Sequence, residues 1–315
     1  MNLPKITDVD ITGKRVLLRL DLDTNPDPNN IRIKSSFETL DYLKSKASEI
    51  IILAHRGRPE GKFVESLSLK PFQPIFDKWG AKIEENLRFD KGEEENSEEF
   101  AKKLALLGDV YINDAFGSSH RKHASIVGIP KLLPHFAGFH LTKEVENLSK
   151  VFDPERPLVI LISGIKKDKL EMIQPLSNLA DKVLVGGRLP AYAEISNFQF
   201  PISNKILFAN LIPDKEDITV NTIEKFKEEI TKAKTIVLAG VLGKYEDEGH
   251  SQGTKEIFSA IVASSAFKIA GGGDTELAIN QLAINHQFHW ISVGGGAMLE
   301  FLTKKTLVGI EALIK

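Results

Sequence analysis

Short apolar, β-branched runs alternate along the chain with longer amphipathic stretches, the βαβα rhythm of parallel sheets covered on both faces. In the first half Arg15–Leu20, Glu49–Ala54 and Asp109–Ile112 read as strands, and Phe37–Lys46, Leu69–Trp79 and Ser97–Leu106 as helices. In the second half the strands are Leu158–Ile162, Lys182–Val185, Lys205–Phe208, Thr235–Ala239, Phe267–Ala270 and His289–Val293. The helices there are Lys169–Leu179, Ile223–Thr231, Lys255–Ser264, Thr275–Leu282 and Ala297–Leu302. A helical pattern over Leu141–Lys150 runs into Val151–Pro157, where Pro154 and Pro157 cannot continue it. A domain boundary is expected there. The acidic run Glu93–Glu99 reads as a solvated loop or a helix N-terminus.

At 315 residues the chain exceeds what one core usually fills, about 250–300 residues. The expected fold is therefore α/β: two Rossmann-like parallel-sheet domains, 1–150 and 151–302, joined by a hinge helix. A net charge of −2 argues against nucleic acid as a partner. With no cysteine there is no disulfide, thiolate nucleophile or zinc–thiolate site. The first residues carry no apolar signal region and the longest apolar runs are strand-sized, so a cytoplasmic protein without a membrane segment is expected.

Two glycine triplets carry the first chemistry. Lys268-Ile269-Ala270 leads into Gly271-Gly272-Gly273-Asp274, and Trp290-Ile291-Ser292-Val293 into Gly294-Gly295-Gly296-Ala297. Strand, glycine turn, helix start: this layout aims free backbone N–H groups and a positive helix end at one spot, where an anion is favoured. The common nucleotide fingerprints fail. Gly240-Val241-Leu242-Gly243-Lys244-Tyr245 lacks the P-loop spacing, and Glu276 and Leu299 stand where G-x-G-x-x-G needs its third glycine. In the first half, Arg32, His55, Arg58, Arg88 and Arg121 lie at or beyond strand ends, where open α/β sheets bind ligands. Guanidinium forks there suit a small phosphorylated or carboxylic acid. His120, Lys122 and His123 belong to the same patch or flank it.

Together these segments resemble phosphoglycerate kinase. The resemblance is carried by Arg15–Asp21, by Ala54-His55-Arg56-Gly57-Arg58-Pro59, by Glu85–Phe89, and by Gly108–Gly117 running on to Ser125. Pro154-Glu155-Arg156-Pro157, Gly271–Thr275 and Gly294–Glu300 complete it, in order, over nearly the whole chain. The resemblance implies reversible phosphoryl transfer between 1,3-bisphosphoglycerate and ADP, giving 3-phosphoglycerate and ATP with Mg2+, by hinge-bending closure of a monomer. It also implies that the C-terminal segment 303–315 returns to the first domain. It implies that Asp21, Arg32, His55, Arg58, Arg88 and Arg121 contact phosphoglycerate, with Asp23 standing where the family has an asparagine. Gly164, Lys169, Gly186, Gly187, Glu246, Gly271, Gly272, Gly273, Asp274 and Thr275 would hold the nucleotide, and Asp274 its metal. Arg32, Lys166, Lys169 and the backbone at Gly272 and Gly295 would surround the transferred group. No general base is needed when a carboxylate attacks.

The chain departs from the family pattern chiefly on the nucleotide side. It is shorter between Pro74 and Glu85 and between Ser196 and Ile223. Gly-Gly-Ala-Lys becomes Ser163-Gly164-Ile165-Lys166, one residue short; Lys166 and Lys169 then share a face if the segment is helical, and Lys166 or Lys167 fills the catalytic place. Trp-Asn-Gly-Pro becomes Leu238-Ala239-Gly240-Val241, and Gly-Gly-Gly-Met becomes Gly186-Gly187-Arg188-Leu189. The alternative reading is a non-catalytic phosphoglycerate- or nucleotide-binding homologue. Retention of Arg32, a lysine at 166 or 167, Lys169 and Asp274 favours catalysis.

Overall fold

The computed structural model describes residues 2–196 and 204–314; residues 197–203, inside the passage after Ser196 that the sequence reading expects to be shortened, lie outside the described residues. The chain divides into two compact units, Met1–Glu146 with Thr306–Lys315, and Asn147–Lys305. Each is a parallel sheet flanked by helices.

In the first unit the strands are β1 (Arg15–Arg19), β2 (Glu49–Leu53), β3 (Ala81–Ile83), β4 (Val110–Asn113) and β5 (His135–Ala137), in the order β3-β2-β1-β4-β5. All neighbours are parallel; β1 pairs with β2 from Arg15 opposite Glu49 to Arg19 opposite Leu53. The second unit holds β6 (Leu158–Ile162), β7 (Lys182–Val185), β8 (Ile206–Phe208), β9 (Thr235–Ala239), β10 (Phe267–Gly271) and β11 (Trp290–Ser292), ordered β11-β10-β9-β6-β7-β8 and again parallel. The central strands β6 and β9 are buried at every position, as a strand covered on both faces must be. Leu18, Ile52 and Ile112 centre one core; Leu161, Ile236 and Phe258 centre the other.

Four differences from the sequence reading have physical causes. The expected helix Leu69–Trp79 is three short turns, Lys70–Phe72, Gln73–Phe76 and Asp77–Trp79, because Pro71 and Pro74 lack the N–H groups a continuous helix uses. Gly80 ends them with φ of 66°. Strands β3 and β5 pass unread: each is three residues at a sheet edge, Ala81-Lys82-Ile83 and His135-Phe136-Ala137, without the apolar run that marks Ile206–Phe208 and Trp290–Ser292. The helices Leu189–Ile195 and Val308–Ile314 were also unread. Finally, the acidic run is split: Ser97 caps the helix Glu98–Ala105, but Glu93 is fully buried rather than solvated.

The returning C-terminal helix is tied to the first unit by a Gly309 N–H donated to the Ser119 carbonyl at 2.8 Å. It packs on the π-turn Ala124–Gly128. Glycine is required at 309, since a Cβ would stand 3.0 Å from the Ser119 Cα and 2.8 Å from the Ile126 side chain.

Asp114 follows β4 and accepts the Leu141 N–H at 2.9 Å, near the start of the helix Phe139–Ser149. Burial pushes its carboxyl up to about 7. A carboxyl raised in the folded state takes its proton from solution, so stability falls as pH climbs from about 4 to about 7. Asp114→Asn keeps the acceptor and removes the titration. Urea unfolding across this range is expected to show a flatter pH profile for the variant and at least wild-type stability at about pH 8. A variant whose deficit grows with pH would contradict the assignment.

Candidate active site

In the first unit the strand order reverses between β1 and β4, and the candidate anion-binding residues collect on the loops at that end. Asp21, just past β1, spends both oxygens on the turn after β4: it accepts the Gly117 N–H at 2.6 Å and the Ser118 hydroxyl. Asp23 accepts the Gly57 N–H at 2.8 Å through its side chain, and its carbonyl accepts from Arg32 at 2.8 Å. These carboxylates therefore join the loops after β1, β2 and β4, while the Asp23 backbone carbonyl holds Arg32 at the capped start of the helix Ile31–Lys34. Arg58 is exposed and Arg121 half-buried.

Two basic side chains, His55 and Arg88, are sealed in behind them. His55 is 3% exposed, and its Nδ1 lies 2.7 Å from the Arg19 guanidinium. Burial holds the imidazole well below its ordinary range, reinforced by the charges of Arg19, Arg88, His123 and Arg121. Arg88 is 1% exposed on the turn Leu87–Phe89; NH1 donates to the Gly57 carbonyl at 2.6 Å and Nε lies 3.2 Å from Glu94. Its NH2 is buried with no hydrogen-bond partner. Arg19, Glu93 and Ser125 were given no role by sequence reasoning. A charged residue ending a strand of buried apolar neighbours was the available signal.

In the second unit the order reverses between β6 and β9, and Lys169 sits at that point. Its half-buried side chain donates to the Ser163 carbonyl at 2.5 Å and the Ala239 carbonyl at 3.1 Å, the ends of the two strands. Burial lowers it to about 8, helped by the nearby Lys166 charge and opposed by Asp274 and Asp168. The lysine loop is a single 3-10 turn, Lys167–Lys169, and Lys166 ahead of it is extended (φ −90°, ψ 115°) and exposed. Lys166 and Lys169 thus do not share a helix face; Lys169 alone turns onto the strand ends. Gly164 and Gly240 take φ of 126° and 131°, and a Cβ on Gly240 would fall 2.1 Å from the Ser163 carbonyl oxygen.

The glycine turns after β10 and β11 touch. Gly272 (φ 110°) precedes the helix Gly273–Gln281, Gly295 opens the helix Gly295–Lys304, and a Cβ on Gly295 would meet the Gly272 Cα at 2.6 Å. Gly271 closes β10 against the Met298 sulfur, and Gly273 faces open space. Thr275 is buried with its hydroxyl unpartnered, whereas Asp274 is exposed. A cavity of about 380 Å³ brings Gly164, Gly187, Glu246 and Asp274 together with Tyr245, Leu242 and the Arg188–Glu216 ion pair. Gly186 packs on Leu242 beneath it. A larger cavity of about 540 Å³ in the first unit, lined by Lys122, Val127, His135 and Val308, holds none of the residues expected to bind substrate.

The Gly272–Gly295 contact predicts a sharp steric difference between neighbours. Gly295→Ala is expected to cost about 1–3 kcal/mol in denaturant unfolding, because backbone must move. Gly296→Ala, one residue on and facing open space, is expected to cost nothing or to stabilise slightly. Equal effects at the two positions would mean the turns do not abut.

Known proteins agree with this organisation. The phosphoglycerate kinase family model matches residues 6–84, 80–199 and 189–305. A phosphoglycerate kinase of Dictyoglomus turgidum is 35% identical over 386 aligned residues, covering 98% of this chain and 97% of that one. That alignment is longer than the chain, so stretches of the relative have no counterpart here. Solved phosphoglycerate kinases from Coxiella burnetii (TM-score 0.80, 29% identity, 99% of each chain) and Pyrococcus horikoshii (TM-score 0.82, 25% identity, 99% and 98%) share the fold. Sheet order, the basic strand-end loops and the glycine turns thus occur in a chain that belongs to the phosphoglycerate kinase family.

Proposed function

We propose that this chain moves the phosphoryl group of 1,3-bisphosphoglycerate from its carboxyl oxygen to the β-phosphate of ADP, and runs the reverse reaction from 3-phosphoglycerate and ATP. The observation that carries the glycerate side is Arg88. A buried guanidinium N–H without a partner costs about 1–3 kcal/mol, a cost that an anionic ligand cancels. Arg32, His55, Arg58 and Arg121 on the adjoining loops are assigned to the same acid. Asp21 and Asp23, already engaged with the backbone, shape the loops and offer acceptors to its hydroxyl.

The cavity beside the glycine turns is assigned to the nucleotide: Gly186 and Gly187 to the base, Glu246 to the ribose, and Gly271 to Gly273, Thr275 and Lys169 to the phosphates. Thr275 supports this with its unpaired buried hydroxyl. Among the described residues no three His, Asp or Glu groups form a cation cage, and Asp274 is a lone exposed carboxylate beside the turns. That arrangement fits Mg2+ arriving on nucleotide phosphates, with Asp274 as its protein ligand. Bound there, the metal neutralises charge on the phosphate oxygens. Arg32, Lys169, either Lys166 or Lys167, and the N–H groups at Gly272 and Gly295 are assigned to the oxygens of the transferred group. Phosphoryl transfer asks little covalent work of a protein; placement and charge dominate. Because the two substrates are assigned to separate units, transfer requires closure that excludes water. No helix among the described residues is long and apolar enough to cross a membrane; a monomeric cytoplasmic enzyme with no nucleic-acid partner completes the reading.

A coupled assay of 3-phosphoglycerate-dependent ATP turnover with Mg2+ tests the proposal. Arg88→Met is expected to raise the KM for 3-phosphoglycerate about 10- to 100-fold, the worth of a hydrogen bond to a charged group, while sparing that for ATP. Arg32→Ala is expected to lower kcat. No turnover by wild type despite ligand binding would sink the kinase reading.

Lys169 adds a pH signature. An amine lowered to about 8 carries its charge below that pH and loses it above. The rate is expected to fall above about pH 8, and Lys169→Met to lower kcat and abolish that alkaline limb. An unchanged limb in the variant would assign it to another group.

A further inference from the structure

Behind the basic loops of the first unit runs a buried relay. Arg19 ends β1 with no exposed surface. Its Nε donates to the Ser125 hydroxyl at 2.9 Å, NH1 donates to the Leu20 carbonyl, and NH2 stands 2.7 Å from Nδ1 of His55. Ser125 in turn donates to Glu93 twice, through its hydroxyl at 2.6 Å and its N–H at 2.9 Å. Glu93 is likewise fully buried and lies 4.0 Å from Arg19 and 3.6 Å from His123.

A guanidinium has donors only. Nδ1 of His55 must therefore accept, so a neutral ring carries its proton on Nε2, the nitrogen left for a ligand. Protonating the ring would set N–H against N–H. It would also add a cation among Arg19, Arg88, Arg121 and His123, while Glu93 is already engaged with Ser125, Arg19 and His123.

We infer that Arg19, held in place by Glu93 through Ser125, locks His55 as a neutral Nε2–H donor. His55 then gives the bound acid a directed hydrogen bond and no charge, and its recognition does not vary near neutral pH. Arg19, Ser125 and Glu93 are positioning residues on this account. The role toward substrate rests on the phosphoglycerate reading above; the state of the ring does not. The depressed basicity of the imidazole agrees with the geometry.

Nitrogen-15 NMR of histidine-labelled full-length protein reads the ring directly. The expected spectrum shows Nδ1 unprotonated and Nε2 protonated between about pH 6 and 8, without titration. A ring protonated at Nδ1 in that range overturns the lock. Ser125→Ala cuts the hydroxyl link and leaves Glu93 bonded to the backbone N–H. In it His55 is expected to titrate or exchange tautomers, and the KM for 3-phosphoglycerate at about pH 8 to rise about 2- to 10-fold, the worth of one hydrogen bond. An unchanged His55 spectrum in a folded Ser125→Ala variant refutes the relay. Adding 3-phosphoglycerate to wild type separates the two readings. A shift at Nε2 supports both, whereas a locked ring that ignores the acid keeps the lock and removes the assigned substrate.

Discussion

Two opposite charges sealed from water, Arg19 and Glu93, constrain the whole first unit. An isolated buried ion costs far more than one hydrogen bond returns, so each must be answered locally. The answer recruits β1, the acidic run after Arg88 and the π-turn Ala124–Gly128, whose Ser125 stands between the pair. That turn in turn supports the C-terminal helix, with Gly309 bonded to Ser119. Segments far apart in the chain are thus committed to one arrangement by a single electrostatic requirement.

The balance is deliberately incomplete in physical terms. Arg19, Arg88, Arg121 and His123 gather around His55, the fully buried Glu93 lies against Arg19 and His123, and Glu94 answers Arg88 on one side alone. His55 responds by staying neutral and Arg88 by leaving a donor unpaired. A neutral ring beside an unpaired buried donor suits the anionic substrate proposed for these loops.

The second unit solves its charge problem with backbone. Lys169 rests on two strand-end carbonyls, and the glycine turns present N–H groups rather than side chains. Such a site depends on close approach, which explains where the sequence has drifted. Gly164, Gly187, Gly240, Gly272 and Gly295 remain where a Cβ would crowd a neighbour or the backbone is left-handed. Of the departures, Arg188 and Val241 fall on the cavity lining, Arg188 paired there with Glu216, whereas Leu238 and Ala239 are buried at the end of β9. Lys169 closes a single 3-10 turn and lies on both strand-end carbonyls.

The α/β rhythm, nearly all central strands and both glycine turns were legible in the sequence, because strands buried on both faces leave long apolar runs and glycine marks a tight turn unambiguously. The basic residues at strand ends were legible for the same reason: a parallel sheet puts its ligand loops at one edge. What sequence could not show was everything decided by contact across the fold. The short edge strands Ala81–Ile83 and His135–Ala137 break their apolar run with Lys82 and His135, and Pro71 and Pro74 broke a periodic stretch into turns. Glu93 looked like one more solvated acid until the fold set it beside Ser125 and Arg19. Sequence by itself determined which residues can carry charge and where the backbone can bend. Only the tertiary structure decided which charges lose their water, and with that which are paired, which stay neutral and which remain open to a ligand.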